Sequence, residues 1–60
     1  MYVLKEIDVR NMNGSLAQSY TNAAFEINGE VAVIYQLDGN KNWAMVAAYN
    51  TRFYSVRGTI

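Results

Sequence analysis

Gly14-Ser15-Leu16-Ala17-Gln18-Ser19-Tyr20-Thr21-Asn22-Ala23-Ala24-Phe25 is the stretch on which the fold of this chain turns. As a helix, Ser15 is an N-cap with Gln18 three residues on, the pattern of a capping box. Leu16, Tyr20, Ala23 and Ala24 then fall at i, i+4, i+7 and i+8 on one face. As a strand, the stretch folds back on the preceding residues through Asn13-Gly14. A two-residue turn there sets Ile7 opposite Tyr20 and Val9 opposite Gln18. Thr21 and Asn22 are mediocre helix formers, and the helix would be short. The strand is the preferred reading and makes the chain all-β. The alternative is an α+β fold with residues 15–22 as a short helix packed on the sheet.

Outward from this stretch, three of the four glycines follow Asn or Asp: Asn13-Gly14, Asn28-Gly29 and Asp38-Gly39. Such dipeptides suit the type I′ turn, in which both central residues need φ > 0. Flanked by β-formers they mark hairpins. Tyr2 to Arg10 reads as a strand with Val3, Ile7 and Val9 on one face and Tyr2 and Leu4 on the other. A bulge near Lys5-Glu6 would unite the two sets. Phe25–Ile27 and Val31–Leu37 flank Asn28-Gly29. A five-residue loop from Asp38 to Asn42 then pairs Leu37 with Trp43, Tyr35 with Met45 and Val33 with Ala47. A two-residue turn at Asn50-Thr51 leads into Phe53–Ile60, with Tyr54 facing Ala47 and Val56 facing Met45. The expected fold is a single domain over residues 1–60, a small antiparallel meander of about five strands.

Period-2 alternation decides what each side of that sheet sees. One side carries Val31, Val33, Tyr35, Leu37, Trp43, Met45, Ala47, Tyr49, Tyr54 and Val56, and reads as the core. The opposite side should be polar in a half-solvated antiparallel sheet. It carries instead Ala32, Ile34, Ala44, Val46, Ala48 and Phe53. A tight turn at Asn28-Gly29 adds Phe25 and Ile27, whereas a one-residue slip would remove them. Strands apolar on both faces need a cover, from residues 15–24 or from another molecule.

Composition narrows the functions. Sixty residues are near the lower limit for independent folding, and such domains lean on disulfides, a metal or a partner. The chain has no Cys and no His, which removes disulfides, zinc clusters and imidazole chemistry. The apolar share is 52% and the charged share only 17%, the opposite of what a small body with much surface should show. Five basic and five acidic residues cancel, so no net charge opposes association or attracts phosphates. The N-terminal residues, broken by Lys5, Glu6 and Asp8, lack the pattern of a signal peptide or membrane span. The expected location is therefore the cytoplasm, with no membrane partner. Asn13-Gly14-Ser15 fits a glycosylation sequon, but without a secretion signal the better reading is an accident of turn chemistry.

No constellation points to catalysis. Ser15, Ser19 and Ser55 have no His, and Glu26 and Glu30 project to opposite sides of their hairpin. Asp38-Gly39-Asn40-Lys41-Asn42 starts like a calcium loop, but Trp43 and Tyr49 stand where Gly and Glu are required. No cofactor and no metal are implied. Arg52-Phe53-Tyr54-Ser55-Val56-Arg57, with Lys41, could stack and neutralise a single-stranded nucleic acid. Zero net charge speaks against that use. Five tyrosines, Trp43 and three methionines supply an interface palette. The expectation is a non-enzymatic interaction module of the inhibitor, adaptor or accessory-factor kind, self-associating as a dimer and binding a partner protein. Its surface would comprise Phe25, Ile27, Ile34, Val46 and Phe53. The competing readings are a nucleic-acid surface of Lys41, Arg52, Phe53, Tyr54 and Arg57, and a purely structural homo-oligomer subunit.

Overall fold

The decisive stretch is extended: residues 16–28 form one strand of 13 residues, and no helix occurs among the described residues. The computed structural model describes residues 2–60. It contains β1 (Leu4–Asn11), β2 (Leu16–Asn28), β3 (Val31–Leu37), β4 (Trp43–Asn50) and β5 (Tyr54–Thr59). All pairings are antiparallel, in one sheet of order β4-β3-β2-β1-β5. The all-β expectation holds. The pattern that suggested a helix over 15–22 is overridden by pairing along β1. Ile7 stands opposite Tyr20 and Val9 opposite Gln18, as expected from a two-residue turn, because the register shift between Val9 and Arg10 offsets a loop one residue longer.

The last strand departs from the meander. β5 pairs with β1, so Tyr54 lies opposite Asn11 and Val56 opposite Val9, not opposite Ala47 and Met45. The sheet must therefore curl. Four interstrand steps of about 4.8 Å would hold the edges of a flat sheet about 19 Å apart. Residues 51–53 join those same edges, and the four chain steps from Asn50 to Tyr54 reach at most roughly 14 Å. The side chains record the closure: the Tyr49 and Tyr54 rings meet edge to face, with centroids 5.2 Å apart. Hydrogen bonds pin the crossover to the β2–β3 turn. The Thr51 N–H and Oγ1 both donate to the Glu30 carbonyl, at 2.7 and 2.9 Å.

Two irregularities produce the curl. β2 bends at Asn22, whose φ of 51° lies in the left-handed region that Asn tolerates better than most residues. Up to Ala23 β2 pairs with β1, and from Ala23 onward with β3. Ala23 and Ala24 are consecutively buried, so strict alternation ends here. Lys5 lies across from Asn22, and Leu4 packs on the cluster containing Ile7. Leu4 thus joins Ile7 without a register shift at Lys5-Glu6, while Tyr2 and Val3 are exposed; the shift in this pair falls between Val9 and Arg10. The second irregularity is a bulge in β4: Met45 faces Tyr35, but Ala47 faces Ile34, leaving Val46 as the extra residue. Val33 consequently lies opposite Ala48, not Ala47.

The turns also differ from the type I′ expectation. Asn28 pairs with Val31, so the central residues are Gly29 and Glu30, and only Gly29 has positive φ (64°), as in a type II′ turn. This moves the pairing by two residues and preserves parity, so Phe25 and Ile27 keep their expected face, opposite Ile34 and Ala32. The β1–β2 and β3–β4 hairpins share a three-residue form, in which a turn is followed by a left-handed residue. Asn11 and Asp38 close them, and Gly14 (φ 90°) and Lys41 (φ 62°) occupy the left-handed position.

The core lies inside the curl. Ile7, Val9, Ala23, Ala32 and Ile34 are buried there, with Leu4, Tyr20, Phe25, Ala47, Tyr49 and Val56 packed around Ile7, Ala23 and Ile34. Ala24, also buried, lies on the outer face opposite Tyr35. This corrects the assignment of faces. The face holding Ala32 and Ile34 is the interior, and past the Val46 bulge Ala47 and Tyr49 turn to join it. Inside, alanines and medium aliphatics pack with the half-buried rings of Tyr20, Phe25 and Tyr49, while Trp43 and Met45 lie on the other face.

Candidate interaction surface

Reversal of the two faces leaves the bulky stripe of β3 and β4 on the outside. Adjacent strands place Leu37 opposite Trp43, Tyr35 opposite Met45 and Val33 opposite Ala48, all of one parity on β3. Met45 is 68% exposed, Leu37 and Val31 are also exposed, and Val33, Tyr35 and Trp43 are half-buried. Pairs of this kind normally pack across a covered sheet face. On β2 the same row continues to Ala24, opposite Tyr35, and to Glu26, opposite Val33.

β4 ends the sheet on this side, so one row of its backbone N–H and C=O groups has no neighbouring strand. Trp43–Asn50 contains neither a charged residue nor a proline, the devices that usually blunt an edge. Only the Val46 bulge interrupts it, and Val46 itself is exposed. The open edge thus belongs to a strand that also carries part of the exposed stripe.

The residues expected to form a partner surface are divided by the structure. Ile34 has no exposed area and Phe25 is half-buried against the core, so both leave the surface. Their cover is the sheet's own curl. Ile27, Val46 and Phe53 are exposed. The stripe of Val33, Tyr35, Leu37, Trp43 and Met45 went unrecognised as surface because large apolar residues read as core. No residue pattern would have found it, since alternation does not encode the curl that decides which face is inside.

The nucleic-acid set is dispersed. Lys41 sits in the loop before β4 and Arg52 just after its end, so the length of the strand lies between them. Arg52 Nε donates to Glu30 Oε1 at 3.0 Å, an exposed pair that contributes little to stability but occupies the cation. Tyr54 is half-buried, its ring against Tyr49. Phe53 is exposed and Arg57 lies on β5 opposite Asp8.

Inside the curl the tyrosines form a second polar feature. Tyr20 and Tyr49 share a hydroxyl–hydroxyl hydrogen bond of 2.6 Å, and their rings meet at 6.5 Å. Burial, helped by that bond and by the Tyr49 charge that would form, pushes the Tyr20 phenol up to about 12. It stays protonated at neutral pH and ties β2 to β4 across β3. No group of three or more acidic side chains among the described residues is placed to hold a metal ion. No described helix is long and apolar enough to cross a membrane. Comparison with family models, curated proteins and solved structures found no match to this chain.

Proposed function

We propose that this chain is a non-enzymatic interaction module that self-associates, and engages a protein partner, through the outer face and free edge of the β3–β4 hairpin. The observation that carries the reading is the coincidence of two unsatisfied features on β4. Its backbone edge is open and uncharged, and the side chains beside it form an exposed apolar stripe. Edge pairing satisfies the first, and it brings the stripe of the added strand next to the existing one. Zero net charge leaves no overall repulsion to oppose the contact. An extended segment added to β4 would recruit main-chain hydrogen bonds for affinity, with Leu37, Trp43 and Met45 supplying side-chain contacts.

Sedimentation of the purified chain tests this directly, alongside Met45→Lys and Val46→Lys. Both substitutions fall on exposed positions and leave the core intact. The expected result is a dimer at micromolar concentration that either lysine converts to a folded monomer. A clean monomer at high micromolar concentration, with the variants equally soluble, overturns self-association. Ile34→Asp is unsuitable for this purpose, because Ile34 is interior.

A further inference from the structure

We infer that a separate cleft, formed where the β1–β2 hairpin meets β5, binds a phosphate group, either free or as the monoester of a small molecule. The cleft measures about 430 Å³ and is lined by Arg10, Asn11, Met12, Gly14, Ser55 and Arg57. Two of the chain's five cations line it, and no acidic side chain does. The register explains the convergence. Arg10 lies directly opposite Ser55, and Arg57 is the next residue of the same parity on β5. Diagonal neighbours of this kind stand about 7–8 Å apart, close enough for two long side chains to grip one anion. The Arg10 guanidinium is already oriented, since its Nη1 donates to the Gly14 carbonyl at 2.9 Å. Its other N–H groups remain to donate.

Arg57 faces Asp8 across the pair, but Asp8 does not line the cleft. Among the described residues the one ion pair is Arg52–Glu30, so neither cleft arginine is neutralised by contact. A phosphate dianion matches two guanidiniums in charge and accepts their paired N–H groups, while the Ser55 hydroxyl lies between them in register. The exposed Met12 side chain offers an apolar wall to whatever carries the phosphate. A smaller cleft of about 340 Å³ shows the contrast: Lys5 and Glu6 both line it, so it presents no net charge to an anion.

The test is an amide NMR titration of the full chain at low salt, where charge contacts are least screened. The probes are ribose 5-phosphate, inorganic phosphate and, as the uncharged control, ribose. Saturable shifts confined to residues 10–15 and 55–57 are expected with a phosphate probe and not with ribose. Arg57→Gln should weaken binding about tenfold, as loss of one charge-assisted pair implies, whereas Arg52→Gln should leave it unchanged. Ser55→Ala provides a second variant should Arg57→Gln fail to fold, and a several-fold weakening is expected there. Tighter binding of ribose 5-phosphate assigns the site to a monoester, and equal binding assigns it to free phosphate. No saturable shift at millimolar concentration overturns the inference, as does equal weakening by Arg52→Gln.

Discussion

The two faces of β3 differ more than their sequence does. Ala32 and Ile34 point into the curl and are fully buried, while Val33, Tyr35 and Leu37, also largely apolar, line the outside. Hydrophobicity alone does not choose between these faces; curvature does. A sheet bent at Asn22 and bulged at Val46 has a narrow inside and a wide outside. The set on the inside fills the curl, and a second apolar set is left on the convex surface. The contrast separates stability, held by the inner set, from association, assigned to the outer one.

The comparison breaks most sharply at adjacent residues of different face. Ile34→Ala should destabilise by about 2–5 kcal/mol, the cost of emptying a buried aliphatic site, and in so small a domain this unfolds much of the population. Met45→Ala should change stability by less than about 0.5 kcal/mol and act on association alone. Urea unfolding of both variants checks the pair. Equal losses at the two positions would mean that the outer stripe is part of the folding core.

Next in size is Gly58 on β5. Its position faces Ile7, and an added Cβ would run into the Leu4 side chain and approach Phe25 Cε1 to 3.2 Å. Closure of β5 onto the rest of the sheet uses the space this glycine leaves. Gly58→Val should cost about 1–3 kcal/mol through overpacking. Gly58→Ala should cost less, because the end of Leu4 can give way. A neutral Gly58→Val in thermal melts would show that β5 closes less tightly than its contacts indicate.

These sites also show how far the sequence was legible. The strands were readable because each lies between turn residues, and the β1–β2 register followed from Ile7, Val9 and Tyr20. The partner of β5 was not. A strand after a short connection is ordinarily a hairpin arm, and only the curl brings Tyr54 to Asn11. The bulge at Val46 has no residue signature, since Ala44 to Ala48 suits a regular strand equally well, yet it moves Ala47 and Tyr49 across the sheet. Ile27, Val46 and Phe53 are exposed although parity grouped them with the buried Ile34: Ile27 lies near the end of β2, Val46 is the bulge residue and Phe53 lies in the connection before β5. Ile34 and Phe25 were displaced to the interior because the cover came from the chain's own curvature, which alternation does not encode.

The two hairpins of matching form sharpen the comparison at smaller scale. Gly14 and Lys41 occupy the same left-handed position, and only glycine does so without strain. A non-glycine residue there costs about 1–2 kcal/mol, partly offset by glycine's greater entropy loss on folding. Lys41→Gly should therefore stabilise by about 0.5–1 kcal/mol, and Gly14→Ala should destabilise by a similar amount. Gly39 lies outside the left-handed region with open space around its Cβ position, so Gly39→Ala should be neutral or slightly stabilising. Matching losses in all three variants would show that loop contacts, not backbone strain, govern these turns.

The smallest effect appears only in alkali and concerns the tie across the inside of the curl. Burial raises Tyr20 to about 12 in the folded chain, whereas an unfolded tyrosine titrates near 10. Between these values the unfolded state has lost a proton that the native state keeps. The unfolded state binds fewer protons there, so stability falls as pH rises through the window. Below the unfolded value both states are protonated, and the contribution is constant. Urea midpoints measured from pH 8 to 11 should stay level through the first part of that range and then decline. Tyr20→Phe should flatten the decline, while Tyr2→Phe, at an exposed position, should leave it as it was. If both substitutions leave the same slope, the Tyr20–Tyr49 bond does not link the two strands in solution, and the inner face is held by aliphatic packing alone.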